Sequence, residues 1–233
     1  RSQEGAADAA AMRYLESTGQ SAVGMLEFFE MLRDQELLSF KRQDPYFRSH
    51  PLTTERIRAV RAFIEKSQFK NSEVRPAFAK SFVRMKAKLK AFLEKPTLTL
   101  RAYDKEDKRL EARYARAIAY YRKADLDNAI QLVDGLILEH PNDPYFHELK
   151  GQILFETGRL KEALPYYKKA VDLSPETHLL NRALGRVLVE INDQNLLKRA
   201  IYFLSKAVNI DKNDPFSWRL LGSAWGKAGD KGK

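Results

Sequence analysis

The chain has 233 residues and carries 41 lysines and arginines against 31 aspartates and glutamates, a formal net charge of +10. It contains no cysteine and only four histidines, which excludes disulfide scaffolds and thiolate zinc fingers and makes a histidine-rich metal site hard to build. No apolar run approaches the roughly 20 residues of a membrane span. At about 100–200 residues per domain, the length corresponds to one large domain or two small ones.

Residues 1–68 predict three helical stretches. The first extends from about Ser2 to Ser17 and the second from about Ala22 to Glu36, with apolar side chains on one face of the second. After an irregular stretch, Thr53 or Thr54 can cap a third helix. The N-terminal part is therefore expected to consist of three helices and no strands.

Two short motifs in this part carry chemically interesting side chains. Glu4 and Asp8 are four residues apart, so they share one face of the first predicted helix. His50 stands in Ser-His-Pro and is followed by Arg56 in Glu-Arg-Ile. Alone, the acidic pair is typical of a solvated helix face, and His50 of a loop histidine before a helix.

The middle of the chain is strongly basic. Residues 41–110 carry 19 basic and eight acidic side chains, and the excess is greatest between Arg75 and Lys95. In that segment apolar residues recur at helical spacing: Phe78, Phe82, Met85, Leu89 and Phe92. Residues 69–109 therefore predict a basic connecting helix region whose apolar stripe packs inward and whose lysines form a solvated outer face. The alternative is a surface for nucleic acid or an anionic membrane.

Residues 110–233 contain a repeat. Pro141 and Pro175 are 34 residues apart, and so are Ala129 and Ala163. The interval from Ala163 to the next equivalent alanine is 37, so three residues are inserted, and we expect them in the turn between two helices. The first helix of a fourth repeat begins near residue 215, and the second helix of that repeat is missing. This pattern resembles the tetratricopeptide repeat (TPR), a helix-turn-helix unit with small residues where its helices approach closely.

The TPR resemblance implies an α-solenoid of about three and a half repeats with a concave groove. In this family, defined positions of each first helix (helix A) line that groove, and the second helix (helix B) packs behind it. Here these positions predict an aromatic wall of Tyr114, Tyr121, Tyr145 and Phe155. They also predict a positive patch of Arg182, Arg186 and Arg219. Such a groove suits an extended or helical protein segment as its partner.

Together, the two N-terminal motifs and the repeats resemble a family of HExxH zinc metallopeptidases. The family includes the HtpX heat-shock membrane protease, the CAAX prenyl protease and the periplasmic beta-barrel assembly-enhancing protease. An E-x-x-A-D type motif and a downstream Ser-His-Pro segment recur in it, and the assembly-enhancing protease also carries C-terminal TPRs. The predicted fold class is thus all-α, with peptidase-remnant helices in residues 1–68 followed by the TPR solenoid.

The resemblance assigns roles to the motif residues. Glu4 resembles the third zinc ligand, and Asp8 the carboxylate that orients a ligand histidine. His50 would lie near the metal, donating to a developing oxyanion or occupying the open zinc position. Arg56 would fix that loop or Asp8.

The chain departs from the family in one decisive respect, since it contains no HExxH. We therefore predict that zinc belongs to the full-length parent and that this chain alone neither holds zinc tightly nor cleaves peptide bonds. Because it begins with arginine, we expect a C-terminal part whose partner is the upstream peptidase half of the same protein. The resemblance places the parent in the periplasm or cell envelope, acting on misassembled outer-membrane proteins. The alternative is a non-enzymatic TPR adaptor; nucleic-acid binding is not expected.

Overall fold

A computed structural model describes residues 2–36 and 54–229, and these residues form twelve α-helices and no strand. Five helices precede the repeats: α1 (Ser2–Ser17), α2 (Val23–Glu36), α3 (Thr54–Lys66), α4 (Pro76–Leu93) and α5 (Pro96–Ala102). Seven follow: α6 (Leu110–Arg122), α7 (Leu126–Glu139), α8 (Pro144–Glu156), α9 (Leu160–Leu173), α10 (His178–Ile191), α11 (Gln194–Ile210) and α12 (Pro215–Lys227). The all-α prediction is confirmed. None of the described helices combines the length and the apolar character needed to cross a bilayer.

The chain divides into two compact units, residues 1–81 and residues 82–233. The division falls inside α4, between Ser81 and Phe82, rather than at either end of the region 69–109. In the first unit, α1, α2 and α3 surround a small core of Met12, Phe29, Ile57 and Val60. Helix α1 ends at Ser17, and Gly19 in the turn that follows has a positive φ of 70°, which suits glycine.

The second unit consists mainly of antiparallel helix pairs that stack one on the next. Aspartates cap four of its helices by accepting hydrogen bonds from backbone N–H groups: Asp125, Asp143, Asp193 and Asp214. Small residues let paired helices approach closely. A Cβ added to Gly185 would lie only 2.4 Å from Cγ of Leu204 on the facing helix. The repeat prediction is therefore confirmed in its packing.

The three inserted residues of the third repeat do not lie in the turn, so that expectation is wrong. Only Asn192 and Asp193 separate α10 from α11, and Asn192 is left-handed with φ of 59°. The extra residues lengthen α11 to 17 residues, against 14 in α7 and α9. Because Asp193 caps Asn195 and Leu196 through their backbone N–H groups, the helix begins one turn early.

The orientation predicted for the basic helix α4 is also wrong. Four of the five residues of its apolar stripe are exposed, at 48% for Phe78, 56% for Phe82, 47% for Met85 and 49% for Leu89, and the fifth, Phe92, packs partly buried against the core. The buried positions are Ala87 and Ala91 instead. Alanine lets the helix come close to its neighbours, and the cations beside it form ion pairs there, so this face is the one that packs.

Candidate functional site

In the first unit, three charged side chains converge where α1 meets α3. Arg56 of α3 donates from Nε to Asp8 Oδ2 at 2.6 Å and from Nη2 to Asp8 Oδ1 at 2.9 Å. Its Nη1 lies 3.2 Å from Oε2 of Glu4, one turn earlier on α1. The guanidinium lies over the ring of Phe29, 5.0 Å from its centroid. Asp8 is 7% exposed, so Arg56 compensates a carboxylate that is largely removed from water.

This cluster does not fit a complete metal site by itself. A protein metal centre needs three or four ligands, and no group of three His, Cys, Asp or Glu side chains suited to a metal occurs in residues 2–36 and 54–229. The one candidate ligand, Glu4, faces a cation. His50 lies outside the described residues.

In the second unit, the concave groove has two sections. We call the part bordered by α6 and the start of α8 the filled section, because the end of α4 lies in it. Arg84 of α4 forms a bidentate ion pair with Asp143, and its guanidinium lies over the rings of Tyr114, Tyr145 and Phe146. One turn on, Lys88 Nζ lies 3.5 Å from Glu148 Oε2.

The backbone of α4 is held as well. Arg122 of α6 donates through Nη1 to the carbonyls of Ala91, at 2.7 Å, and Glu94. Arg84 and Asp143, 59 residues apart, were missed by sequence reasoning, which treated Arg84 as part of a solvated face.

The filled section corrects one of the predicted groove residues. Tyr114 is only 1% exposed, lies under Arg84 and meets Phe146 edge-on at 5.3 Å between centroids. Burial raises the pKa of its phenol, so the ring is a neutral core residue. Tyr145 keeps 43% of its surface exposed at the edge of this section.

The remaining part of the groove, which we call the open section, is a cavity of about 200 Å³ bordered by α8, α10 and α12. Its walls include Gln152, Phe155, Tyr167, Arg182, Arg186 and Phe216. Phe155 lies under the guanidinium of Arg186, 4.4 Å from centroid to Cζ. Phe216 lies between Arg182 at 5.2 Å and Arg219 at 4.7 Å. The structure thus brings Phe155, Arg182 and Arg186 into one groove section, and Arg219 lies beside it on the ring of Phe216.

Phe216 and Tyr167 were not predicted. Phe216 occupies the second position of α12, the position that carries Tyr145 in α8, so the repeat phase contained the signal. Tyr167 belongs to α9, and its ring fills the space left by Gly151, 3.1 Å from where a Cβ would be. Here Tyr167 of helix B reaches the groove because Gly151 of helix A carries no side chain.

The arginines of the open section differ in their partners. Arg182 donates to Asp214 Oδ2 at 2.9 Å. Hydrogen bonds from Ser217, Arg182 and His178 lower the pKa of Asp214 despite its partial burial. Arg186 and Arg219 contact aromatic rings but have no carboxylate partner within the described chain.

The opposite wall of the groove holds a polar chain. The hydroxyl of Tyr121 donates to Glu156, and Gln152 Nε2 donates to the same carboxylate at 3.2 Å. Burial and Glu156 together raise the pKa of Tyr121, which keeps its proton in this hydrogen bond. Glu156 and Glu148 also line the open section, so its charged side chains are of both signs.

Comparison with known proteins separates the two units. Residues 1–64 match the family model of peptidase family M48, and residues 114–177 match a tetratricopeptide repeat model. No curated protein is significantly similar to the chain.

Solved TPR structures share the fold of the repeats. MamA MSR-1 is 18% identical over 68% of this chain and 90% of its own, with a TM-score of 0.52. MamA AMB-1 is 17% identical over 64% and 89%, with a TM-score of 0.53. YrrB, described as a TPR protein with an unusual peptide-binding site, is 18% identical over 64% and 78%, with a TM-score of 0.52. At these identities the likeness establishes the solenoid fold alone.

Proposed function

We propose that this chain, which joins part of a peptidase family M48 domain to an array of tetratricopeptide repeats, binds protein segments in the open section of its groove. The observation that carries the proposal is the pair of rings, Phe155 and Phe216, which line one cavity together with Arg182 and Arg186. The guanidinium of Arg186 lies over Phe155, and those of Arg182 and Arg219 lie over Phe216. An apolar side chain of a partner can contact the rings while its backbone carbonyls accept from the arginines. The peptide-binding site described for YrrB supports this reading.

The peptidase part of the proposal concerns the parent protein. We propose that the parent is a zinc endopeptidase of the cell envelope and that its repeats select or tether substrates. Glu4 would serve as a carboxylate ligand together with histidines of an upstream HExxH, Asp8 would orient one of those ligands, and His50 would lie near the metal. The family match of residues 1–64 and the order of peptidase before repeats support this assignment.

The second candidate is a TPR adaptor without peptidase activity. It is favoured by the ion pair between Arg56 and Glu4, which occupies the proposed zinc ligand with a cation. A zinc-dependent peptidase activity of the parent that is lost in Glu4→Gln would exclude the adaptor.

Binding can be tested with fluorescein-labelled unfolded casein as the probe. We expect saturable binding by fluorescence polarisation, weakened about tenfold by Phe155→Ala because the ring supplies the apolar contact. Tyr202→Ala, which removes a ring 64% exposed on α11, is the matched control and should bind casein like the unsubstituted chain. Equal affinity of F155A and the unsubstituted chain for casein would show that the open section is not the binding site.

The prediction that this chain alone does not hydrolyse peptide bonds can be tested in the same mixture. With zinc added, we expect casein to remain intact because the sequence supplies no HExxH histidines or general base. Zinc-dependent cleavage that a chelator abolishes would overturn this part of the proposal.

A further inference from the structure

Residues 82–93, the part of α4 that belongs to the second unit, have two faces of different character. On the face that lies against the repeats, Arg84 pairs with Asp143 and Lys88 pairs with Glu148. These two cations are therefore already neutralised by the groove wall. The remaining cations and the exposed apolar side chains of the helix belong to its outward face.

The outward face carries a ridge of large apolar side chains. At about 100° per residue, Phe82, Met85, Leu89 and Leu93 fall within an arc of about 80° around the helix, and they extend over roughly 16 Å along its axis. All four are exposed, and Leu93, at 79%, is the most exposed of them. We call these four residues the α4 ridge. Because they project from a single helix, they form a convex surface and not a pocket.

Lysines border the α4 ridge. Lys86 and Lys90 follow it around the helix, and Lys95 is exposed just after the helix ends. Lys86 Nζ lies 5.5 Å from the ring centroid of Phe82 and has no carboxylate partner in the described part of the chain. Lys90 lies 3.8 Å from Glu94, a half-exposed pair that water weakens. Helix α4 itself contains no acidic residue. The outward face is thus both apolar and cationic.

This combination matches the boundary between the acyl chains and the anionic headgroups of a lipid bilayer. Nucleic acid would neutralise the lysines but would offer its phosphates to four apolar side chains. A second copy of the same face would set lysines against lysines. A specific protein partner generally places an anchor side chain in a pocket, which a convex ridge does not provide. A lipid surface satisfies the apolar side chains and the cations together.

We propose that the α4 ridge and its lysines bind the surface of an anionic phospholipid bilayer. The four apolar side chains would reach the first acyl carbons, and the amines of Lys86, Lys90 and Lys95 would lie at the headgroup phosphates. The helix lies on the membrane and does not cross it. This contact is separate from the proposed binding of protein segments, because it uses the face of α4 that points away from the groove wall.

Sedimentation of the full 233-residue chain with vesicles tests the proposal. The vesicles consist of phosphatidylcholine alone or of phosphatidylcholine with about 30% phosphatidylglycerol, which supplies the negative surface potential. We expect the partition coefficient to be at least about tenfold higher for the anionic vesicles. High salt should reduce this difference, because the lysines are accessible to solvent.

Variants with matched controls assign the binding to the ridge. Leu89→Gln removes an apolar contact and Lys86→Gln removes a charge, so each should lower the partition coefficient several-fold. Leu138→Gln, at a leucine 84% exposed on α7, and Lys169→Gln, at an exposed lysine on α9, should leave it unchanged. All four positions are on the surface, and circular dichroism checks that each variant is folded.

A tryptophan reporter shows whether the ridge enters the acyl region. With anionic vesicles, Phe82→Trp should shift its emission to shorter wavelength and should be quenched by lipids with brominated acyl chains. Tyr202→Trp, on α11, should do neither. Both are measured as differences from the unsubstituted chain, which contains Trp218 and Trp225.

Each negative outcome has a distinct meaning. Failure to bind the anionic vesicles overturns the proposal. Binding that K86Q weakens while L89Q does not, with no shift of the tryptophan reporter, would remove the ridge from the contact and contradict it as well. Self-association that L89Q abolishes, or binding of single-stranded DNA in place of vesicles, would reassign this face to a second copy or to nucleic acid. Casein binding in the open section is unaffected by any of these results, so the two proposals fail separately.

Discussion

Arg84 of α4 and Asp143, the N-terminal cap of α8, form a bidentate ion pair that closes one section of the TPR groove. Arg84 Nη2 donates to Asp143 Oδ1 at 2.8 Å, and the same oxygen accepts from the backbone N–H of Tyr145 at 3.0 Å. Burial opposes the charge of Arg84, but the hydrogen bond and attraction of Asp143 outweigh it and raise the pKa of the guanidinium. One carboxylate therefore starts a repeat helix and holds a helix from outside the repeats.

Replacing Arg84 should loosen α4 from the groove. We expect Arg84→Ala to lower the free energy of unfolding by about 2 kcal/mol, because Asp143 loses its cation while only partly exposed to water. Hydrogen exchange should accelerate in α4 before it does in α8. Urea denaturation and exchange mass spectrometry measure both effects.

Lys86→Ala is the matched control, since Lys86 is exposed and its amine lies over the ring of Phe82. A double-mutant cycle with Asp143→Asn should give a coupling energy of about 1 kcal/mol or more. Additive effects of the two substitutions would contradict the role given to the pair.

The first unit should depend on Arg56. Arg56→Ala leaves Asp8 largely buried without its two hydrogen bonds, so we expect a loss of about 3 kcal/mol in the stability of this unit. Arg58 is exposed and lies two residues further along the same helix, so Arg58→Ala should change the stability of this unit by less than about 0.5 kcal/mol. Exchange of amides in α1 and α3 reports the difference, and equal protection in the two variants would rule out a structural role for the cluster.

Two glycines of the repeats should respond to alanine in opposite directions. Gly185→Ala places a Cβ 2.4 Å from Leu204 Cγ, so the facing helix must move, at a cost of about 1–3 kcal/mol. Gly222→Ala meets no atom within 4 Å and should stabilise α12 by up to about 1 kcal/mol, because alanine favours helices. Thermal unfolding of both variants tests the packing of the third repeat; similar melting temperatures would contradict it.

Asp214 should make the last repeats acid-sensitive. Its pKa is lowered by hydrogen bonds from Ser217, Arg182 and His178, so its stabilising contribution is complete above its unfolded pKa of about 4. The contribution declines as pH falls below that value toward the folded pKa. The free energies of unfolding in urea of the unsubstituted chain and of Asp214→Asn should therefore differ most at neutral pH and converge in acid. A difference that grows below pH 4 would show that the sign is wrong.

Some groove residues could be predicted from their positions within the repeat. Phe155, Arg182, Arg186 and Arg219 occupy defined positions of helix A, and the structure places them in or beside the open section. Tyr114 occupies such a position too, but α4 covers it. Phase assigns a residue to a face of a helix; it does not say whether another helix lies on that face.

By itself, the sequence determined that the chain is helical and the period of its repeats, because these depend on neighbours within a few turns. Only the tertiary structure decided that α4 buries Ala87 and Ala91 and exposes Phe82 and Met85. Close approach at alanine, the pairing of Arg84 with Asp143 and the stacking of its guanidinium on aromatic rings act between residues far apart in the chain. Hydrophobic periodicity within one helix carries no record of such contacts, so it indicated the opposite face.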